Sequence, residues 1–254
     1  MPYEVTTKEH TTMIRMAARI SESKTYVINY SEALSRSELK NAAWNENWFG
    51  FLGDSIFAVL ISGLYNRFGQ FPKQISVLKE WINSGIEHYD FNLVCHLHIQ
   101  LTDPYYRWIT GEYLPERFNS GLGTFNADLI QADFAAYSTK KMKSNTCRRL
   151  LSNLLSSAVE CGLLEGKAQR QFETPTVSSK FFGYLVYTLQ EFNFPMSDLR
   201  ESPYIQSICR DQDKLKRLLV EGEYKGWWEF NWDMNMFTLT PRYDNISLWH
   251  EVTI

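Results

Sequence analysis

Metal-ligand residue types gather in one place only, at His88, Asp90, Cys95, His96 and His98. Zinc takes neutral imidazole nitrogens and thiolates, and three or four of them must converge on one point. Phe91 to Leu101 carries Leu93, Val94, Leu97 and Leu101 at helical spacing. On a helix, residues two apart such as His96 and His98 leave on different faces. Core or surface histidines without a bound metal are therefore expected. A second group, Asp103 with Glu112 and Glu116, offers carboxylates. Glu112 and Glu116 share a face if the helix runs through Pro115. General acid–base chemistry needs a partner base or a metal ligand beside such a pair. The sequence supplies neither, so a solvated helix face is expected. No G-x-x-x-x-G-K-[ST], no G-x-G-x-x-G after a strand, no G-x-S-x-G and no H-E-x-x-H occurs. The common nucleotide-dependent and hydrolase classes are thereby set aside. The expectation is a binding protein without enzyme activity or cofactor. An enzyme built on the His88–His98 region is the outlying alternative.

Charge departs from the average in one segment. Between Ser138 and Arg170, Lys140, Lys141, Lys143, Arg148, Arg149, Lys167 and Arg170 stand against Glu160 and Glu165, in a chain of net charge −3. The helix inside it is amphipathic, with Leu150, Leu151, Leu154, Leu155, Ala158 and Val159 on one face. Ser144, Asn145 or Thr146 can cap its start, and Gly162 can close it in a left-handed conformation. Asn145, Thr146, Arg148 and Arg149 then lie near a helix N-terminus, where partial positive charge and free N–H groups suit a phosphate. Leu163-Leu164, a tight turn at Glu165-Gly166-Lys167, and Arg170 follow. A helix followed by a basic hairpin is the order of a winged helix, a helix-turn-helix variant. The candidate nucleic-acid contacts are Lys140, Lys141, Lys143, Asn145, Thr146, Arg148, Arg149, Lys167 and Arg170. The alternative is a core helix with a solvated basic edge.

The elements that must position these residues are mostly helical. Helices are expected over residues 8–20 (Met13, Met16, Ala17 and Ile20 on one face), from a Ser35–Glu38 capping box to Ala43, and across Trp48–Tyr65. Others run from Lys73, over Phe91–Leu101, from Asp103-Pro104, over Ala127–Tyr137 and over Ser144–Gly162. Beyond Gly162, helices at Phe181–Phe192, Ser197–Leu199, Lys214–Val220 and Leu248–Val252 alternate with strand-like runs. One such run spans Gln169–Val177. In the other, Trp228, Phe230 and Trp232 alternate with polar residues, turn at Asp233-Met234-Asn235 and return through Phe237–Thr240. Those aromatics could stack nucleobases, but packing in a core is the expectation, because tryptophans are on average highly buried. The fold class expected is mainly α: an N-terminal helical domain over 1–120, packed on a C-terminal domain over 121–254 with the winged-helix-like segment and the aromatic hairpin. Aromatics make up 15% of the chain, enough to build a substantial core. Cys95, Cys147, Cys161 and Cys209 form no C-x-x-C pair, and the N-terminal residues are polar, so reduced thiols in a cytoplasm are expected. Trp48–Tyr65 is too short and too interrupted to span a membrane.

T-C-R-R-L-L-S-N-L-L-S-S-A-V-E-C-G-L-L, from Thr146 to Leu164, resembles the basic helix of the BrxA family of BREX anti-phage systems. Y-Y-R-W-I-T-G-E-Y-L, from Tyr105 to Leu114, is similar to an upstream helix of that family. The resemblance extends over about residues 35–165 and leaves out the aromatic C-terminal third. It implies two helical domains, a non-catalytic accessory role, and binding of double-stranded DNA alongside other defence-system proteins. Thr146, Arg148 and Arg149 are the residues that match its basic pattern. A scaffold that docks a larger enzyme subunit through the aromatic C-terminal half is the competing expectation.

Overall fold

The computed structural model describes residues 5–233 and 236–253. Met234 and Asn235 of the expected hairpin turn lie outside the described residues. Residues 8–20 do not form a helix. A single 3-10 turn, Thr12–Ile14, interrupts an otherwise irregular segment that reaches Arg19. Backbone groups must be paired somewhere, and here the body of the protein pairs them. Thr6 N donates to the Leu101 carbonyl at 3.0 Å. Arg107 Nη2 donates to the Thr6 carbonyl at 2.8 Å. Asn153 Nδ2 donates to the Met13 and Ile14 carbonyls, each at 2.8 Å. Met13 and Met16 are buried all the same.

Helix α1 (Ile20–Asn29) follows, then α2 (Arg36–Asn45). Ser35 and Glu38 form the expected capping box, with Glu38 N donating to Ser35 Oγ at 3.3 Å and Ser35 N to Glu38 Oε2 at 2.8 Å. The helix expected across Trp48–Tyr65 begins only at Asp54, because the chain reverses at Asn47, held at a positive φ of 52°. Helix α3 (Asp54–Leu64) then continues through a π turn, Tyr65–Gly69. Pro72 opens α4 (Pro72–Asn83). Helix α5 (His88–Thr102) is the axis of the fold, buried at every position from Leu93 to Leu101. Asp103 caps α6 (Pro104–Trp108), its Oδ1 accepting from Tyr106 N at 2.9 Å. A second π turn, Ile109–Tyr113, leads without a break into α7 (Leu114–Asn119). A proline ring normally clashes with the carbonyl four residues back. The widened turn stands directly before Pro115 and lets the helix continue.

Strand β1 (Thr124–Phe125) precedes α8 (Ala127–Tyr137) and α9 (Ser144–Glu160), and β2 (Leu164–Glu165) with β3 (Arg170–Phe172) closes the unit. The sheet order is β1-β3-β2, antiparallel, with Phe125 opposite Arg170 and Leu164 opposite Phe172. Helix α10 (Ser179–Glu191), a 3-10 turn (Met196–Glu201), α11 (Pro203–Gln206) and α12 (Gln212–Tyr224) come next. The hairpin of β4 (Trp228–Trp232) and β5 (Phe237–Pro241) and a final α13 (Ile246–Glu251) complete the chain. The fold is mainly α with two small antiparallel sheets. Among the described residues no helix is long and apolar enough to cross a membrane.

The core runs continuously through both halves of the chain. Helix α10 is buried from Phe181 to Leu189 and packs on α5. Trp249 stacks on Tyr187 with ring centroids 5.4 Å apart. Trp228 is fully buried, its indole N–H donating to the Leu219 carbonyl at 2.9 Å. The aromatic hairpin is thus spent on packing. Gly111, in the second π turn, marks how closely the halves approach. A Cβ there would strike the Pro203 ring and lie 2.6 Å from Pro203 Cα. Gly111→Ala should therefore lower stability by about 1–3 kcal/mol, the usual cost of overpacking a core. Gly123→Ala, which meets nothing, should change it by less than about 0.5 kcal/mol. Urea denaturation followed by circular dichroism tests both.

Candidate nucleic-acid interface

The unit β1–α8–α9–β2–β3, with its first strand paired to its last, has the connectivity of a winged helix, in which α9 takes the place of the recognition helix. Leu150, Leu151, Leu154, Leu155 and Ala158 are fully buried, which fixes the rotation of α9 about its axis. Gly162, at φ 79°, ends it in the expected left-handed conformation. The start differs from expectation. Lys143 is the N-cap and no side chain caps the helix. Ser144 Oγ instead accepts from Gln131 Nε2 on α8 at 2.9 Å.

Lys140, Lys141, Lys143, Asn145, Thr146, Arg148, Arg149 and Lys167 are all exposed, but they are not equivalent. Arg148 makes a two-pronged ion pair with Asp128 of α8, 3.0 Å from Nε and 3.1 Å from Nη2. Both partners are more than half exposed, so the pair adds little stability, but it shares the charge of Arg148 with a carboxylate. The Lys140 ammonium donates to the Glu9 carbonyl. The Glu9 carboxylate itself sits at the same loop, accepting from Tyr105 Oη at 2.6 Å and Thr139 N at 3.0 Å. Desolvation works against its ionisation, but these hydrogen bonds together hold it below the ordinary carboxylate value. Lys141, Lys143, Arg149 and Lys167 carry no ion pair among the described residues.

Arg170 does not belong to this surface. It is only 7% exposed, Nη2 donates to Ser156 Oγ at 3.1 Å, and burial lowers its pKa. The cause is strand alternation. Gln171 faces out, so Arg170 faces α9. Ser156 lies twelve residues beyond Ser144 on α9, or about 18 Å along the axis. The hairpin and the lysine loop therefore stand at different levels of one helix.

Sequence reasoning missed what lies between them. The outward side of α9 is covered by the N-terminal segment. Asn153 holds the Met13 and Ile14 carbonyls, and Glu160 Oε2 accepts from Arg19 N at 2.7 Å. Asn153 gave no signal beyond being polar on a polar face, since its partners lie about 140 positions away in the chain. The accessible cations are left in the second turn of α9, the loop before the helix and the hairpin after it.

The histidines lie away from this surface. His88 is exposed, whereas His96 and His98 are buried on different sides of α5. His96 Nε2 lies 2.9 Å from Ser207 Oγ, whose proton goes to the Tyr204 carbonyl, so Nε2 donates and Nδ1 accepts from Tyr106 Oη at 3.1 Å. His98 Nδ1 donates to the Arg67 carbonyl at 3.2 Å and Nε2 accepts from Tyr184 Oη at 2.7 Å. Among the described residues no three His, Cys, Asp or Glu side chains converge as a metal site. Glu112 and Glu116 are both exposed. A comparison with models of protein families finds no match, and a search of curated proteins finds none.

Burial drives both histidines down to a pKa of about 3, against about 6.5 in an unfolded chain. Between those values the unfolded chain binds protons that the native state refuses, so stability is lost as pH falls below about 6.5. Between pH 7 and pH 5, one such histidine costs about 2 kcal/mol. The parent should lose that much more than His98→Gln over this interval in urea denaturation. Equal losses in the two proteins would show that His98 is not held neutral by the fold.

Proposed function

We propose that the chain is a non-catalytic protein that grips the backbone of double-stranded DNA through its winged-helix unit. The observation that carries this reading is the placement of Lys141, Lys143, Arg149 and Lys167. All four are exposed without an ion pair among the described residues, on a unit with winged-helix connectivity. Lysine and arginine at a loop and a helix start suit phosphate contacts, which position a protein without reading sequence. The covered outward side of α9 argues in the same direction. A recognition helix reads base edges by laying its side chains into the major groove, and Ser152, Asn153 and Ser156 are half-buried here. Contact is made with the first two turns of α9, the lysine loop and the hairpin, and is indifferent to sequence. The resemblance of Thr146–Leu164 to the BrxA family supports placing such a protein among the accessory components of a BREX-type defence system, beside other proteins of that system. Docking of a larger enzyme subunit through the C-terminal aromatics draws less support, because Trp228 and Trp249 lie in the core.

Fluorescence anisotropy with a labelled duplex, from about 50 to 200 mM salt, tests the reading. Four phosphate contacts give a slope of log K against log salt of about −3 to −4. Lys143→Ala with Arg149→Ala should reduce that slope by about 2 and weaken binding to unrelated sequences alike. A folded double variant with the parent's affinity and slope would overturn the proposal.

A further inference from the structure

Arg149 does not stand alone. It shares a cleft of about 560 Å³ with Arg15 and Arg19 of the N-terminal segment and with one side of α3. The floor is aliphatic: Met16, Leu52, Ile56, Val59 and Leu60. Ile56 is 57% exposed. Arg19 pairs with Glu22 at 3.2 Å, whereas Arg15 and Arg149 have no ion pair among the described residues. A second hollow, shared by the same three arginines, extends the rim towards Glu160.

The geometry points to this cleft as the docking site of an acidic amphipathic segment of a partner protein, its apolar side chains on the α3 floor and its carboxylates against Arg15 and Arg149. Charge complementarity selects the sign of the partner. Two unpaired guanidiniums face outward in a chain of net charge −3, and Arg binds carboxylates through two parallel hydrogen bonds. The floor selects its shape. A groove of this size takes apolar anchors spaced as on one face of a helix, at i, i+3 or i+4, and i+7. A nucleic acid fits less well. No aromatic ring lines the cleft to stack a base, and its aliphatic floor offers no partner for a sugar or base edge. Because Arg149 belongs to both surfaces, a docked acidic segment competes with duplex DNA for it.

The test is a selection of phage-displayed random 16-residue peptides on the full chain, followed by anisotropy with a fluorescein-labelled copy of the selected peptide. The selected sequences should combine Asp or Glu with Leu, Ile, Phe or Met at helical spacing. Ile56→Asp and Arg15→Glu, both at exposed positions, should each weaken the peptide at least tenfold and leave the circular dichroism spectrum unchanged. Lys141→Ala with Lys143→Ala should not affect the peptide. The uncharged variant Ile56→Ser should also weaken the peptide, and its duplex binding should equal the parent's, which separates failure here from failure of the DNA reading. Selection of no acidic apolar peptide, or a selected peptide indifferent to both cleft variants, overturns the proposal. So does a 12-nucleotide single strand that binds through Ile56 where the peptide does not. Self-association in sedimentation that Ile56→Asp abolishes would assign the cleft to a second copy and equally overturn it.

Discussion

A guanidinium sealed inside the protein holds this architecture together. Arg67 is buried, and among the described residues no carboxylate forms an ion pair with it. Its charge is met by neutral oxygens instead: the Ala17 carbonyl at 3.3 Å, the Ala18 carbonyl, and the Ser23 hydroxyl oxygen at 3.2 Å. Its own carbonyl accepts from His98 on α5. Removing a buried cation from water is costly, and only a full set of well-placed acceptors compensates it. The π turn Tyr65–Gly69 supplies the aim, as inserted π turns do where a helix must redirect side chains. Desolvation lowers the Arg67 pKa, but guanidinium is basic enough to keep its proton where lysine would give it up.

What Arg67 secures is the irregular run that leads into α1, and that run shapes both candidate surfaces. Fixed at Ala17 and Ala18, it passes over α9, where Asn153 and Glu160 hold it. It thereby covers the outward side of the middle of α9. The same passage places Arg15 and Arg19 beside Arg149 and forms one wall of the cleft along the aliphatic side of α3. One segment closes the surface that a winged helix ordinarily uses for bases and opens a different one. The proposed phosphate contacts and the proposed acidic docking cleft both depend on this one backbone path.

The interior histidines belong to the same logic. His96 and His98 sit two positions apart on a helix buried all round, so each meets a different neighbour: Tyr106 and Ser207 on one side, Arg67 and Tyr184 on the other. Each ring has one donor and one acceptor filled, which makes neutral imidazole the form the core accepts. They join α5 to α6, α10 and the first π turn. Their role in the fold is to satisfy polar atoms inside a core, at the expense of stability in acid.

Local chemistry was legible in the sequence. The capping box at Ser35–Glu38, Asp103 ahead of Pro104, the periodic runs of α4, α5, α8 and α9, the left-handed Gly162 and the pairing of β4 with β5 all follow from residues within a turn or two of each other. Such signals need no distant partner. The sequence also separated the basic run at Lys140–Arg149 from the rest of the chain, and strand period placed Trp228 in a hairpin. Only the tertiary structure decided the rest, because the deciding partners lie far off in the chain. Residues 8–20 have helical spacing but no helix, since Asn153, Arg67 and Glu160 satisfy backbone groups at Met13, Ile14, Ala17, Ala18 and Arg19. Arg170 counts as a surface charge by composition, yet strand alternation against α9 turns it inward to Ser156. Arg148 reads as a free cation until Asp128 is brought beside it from α8. The cleft at Arg149 joins residues from three separate segments, and no local pattern in any one of them announces it.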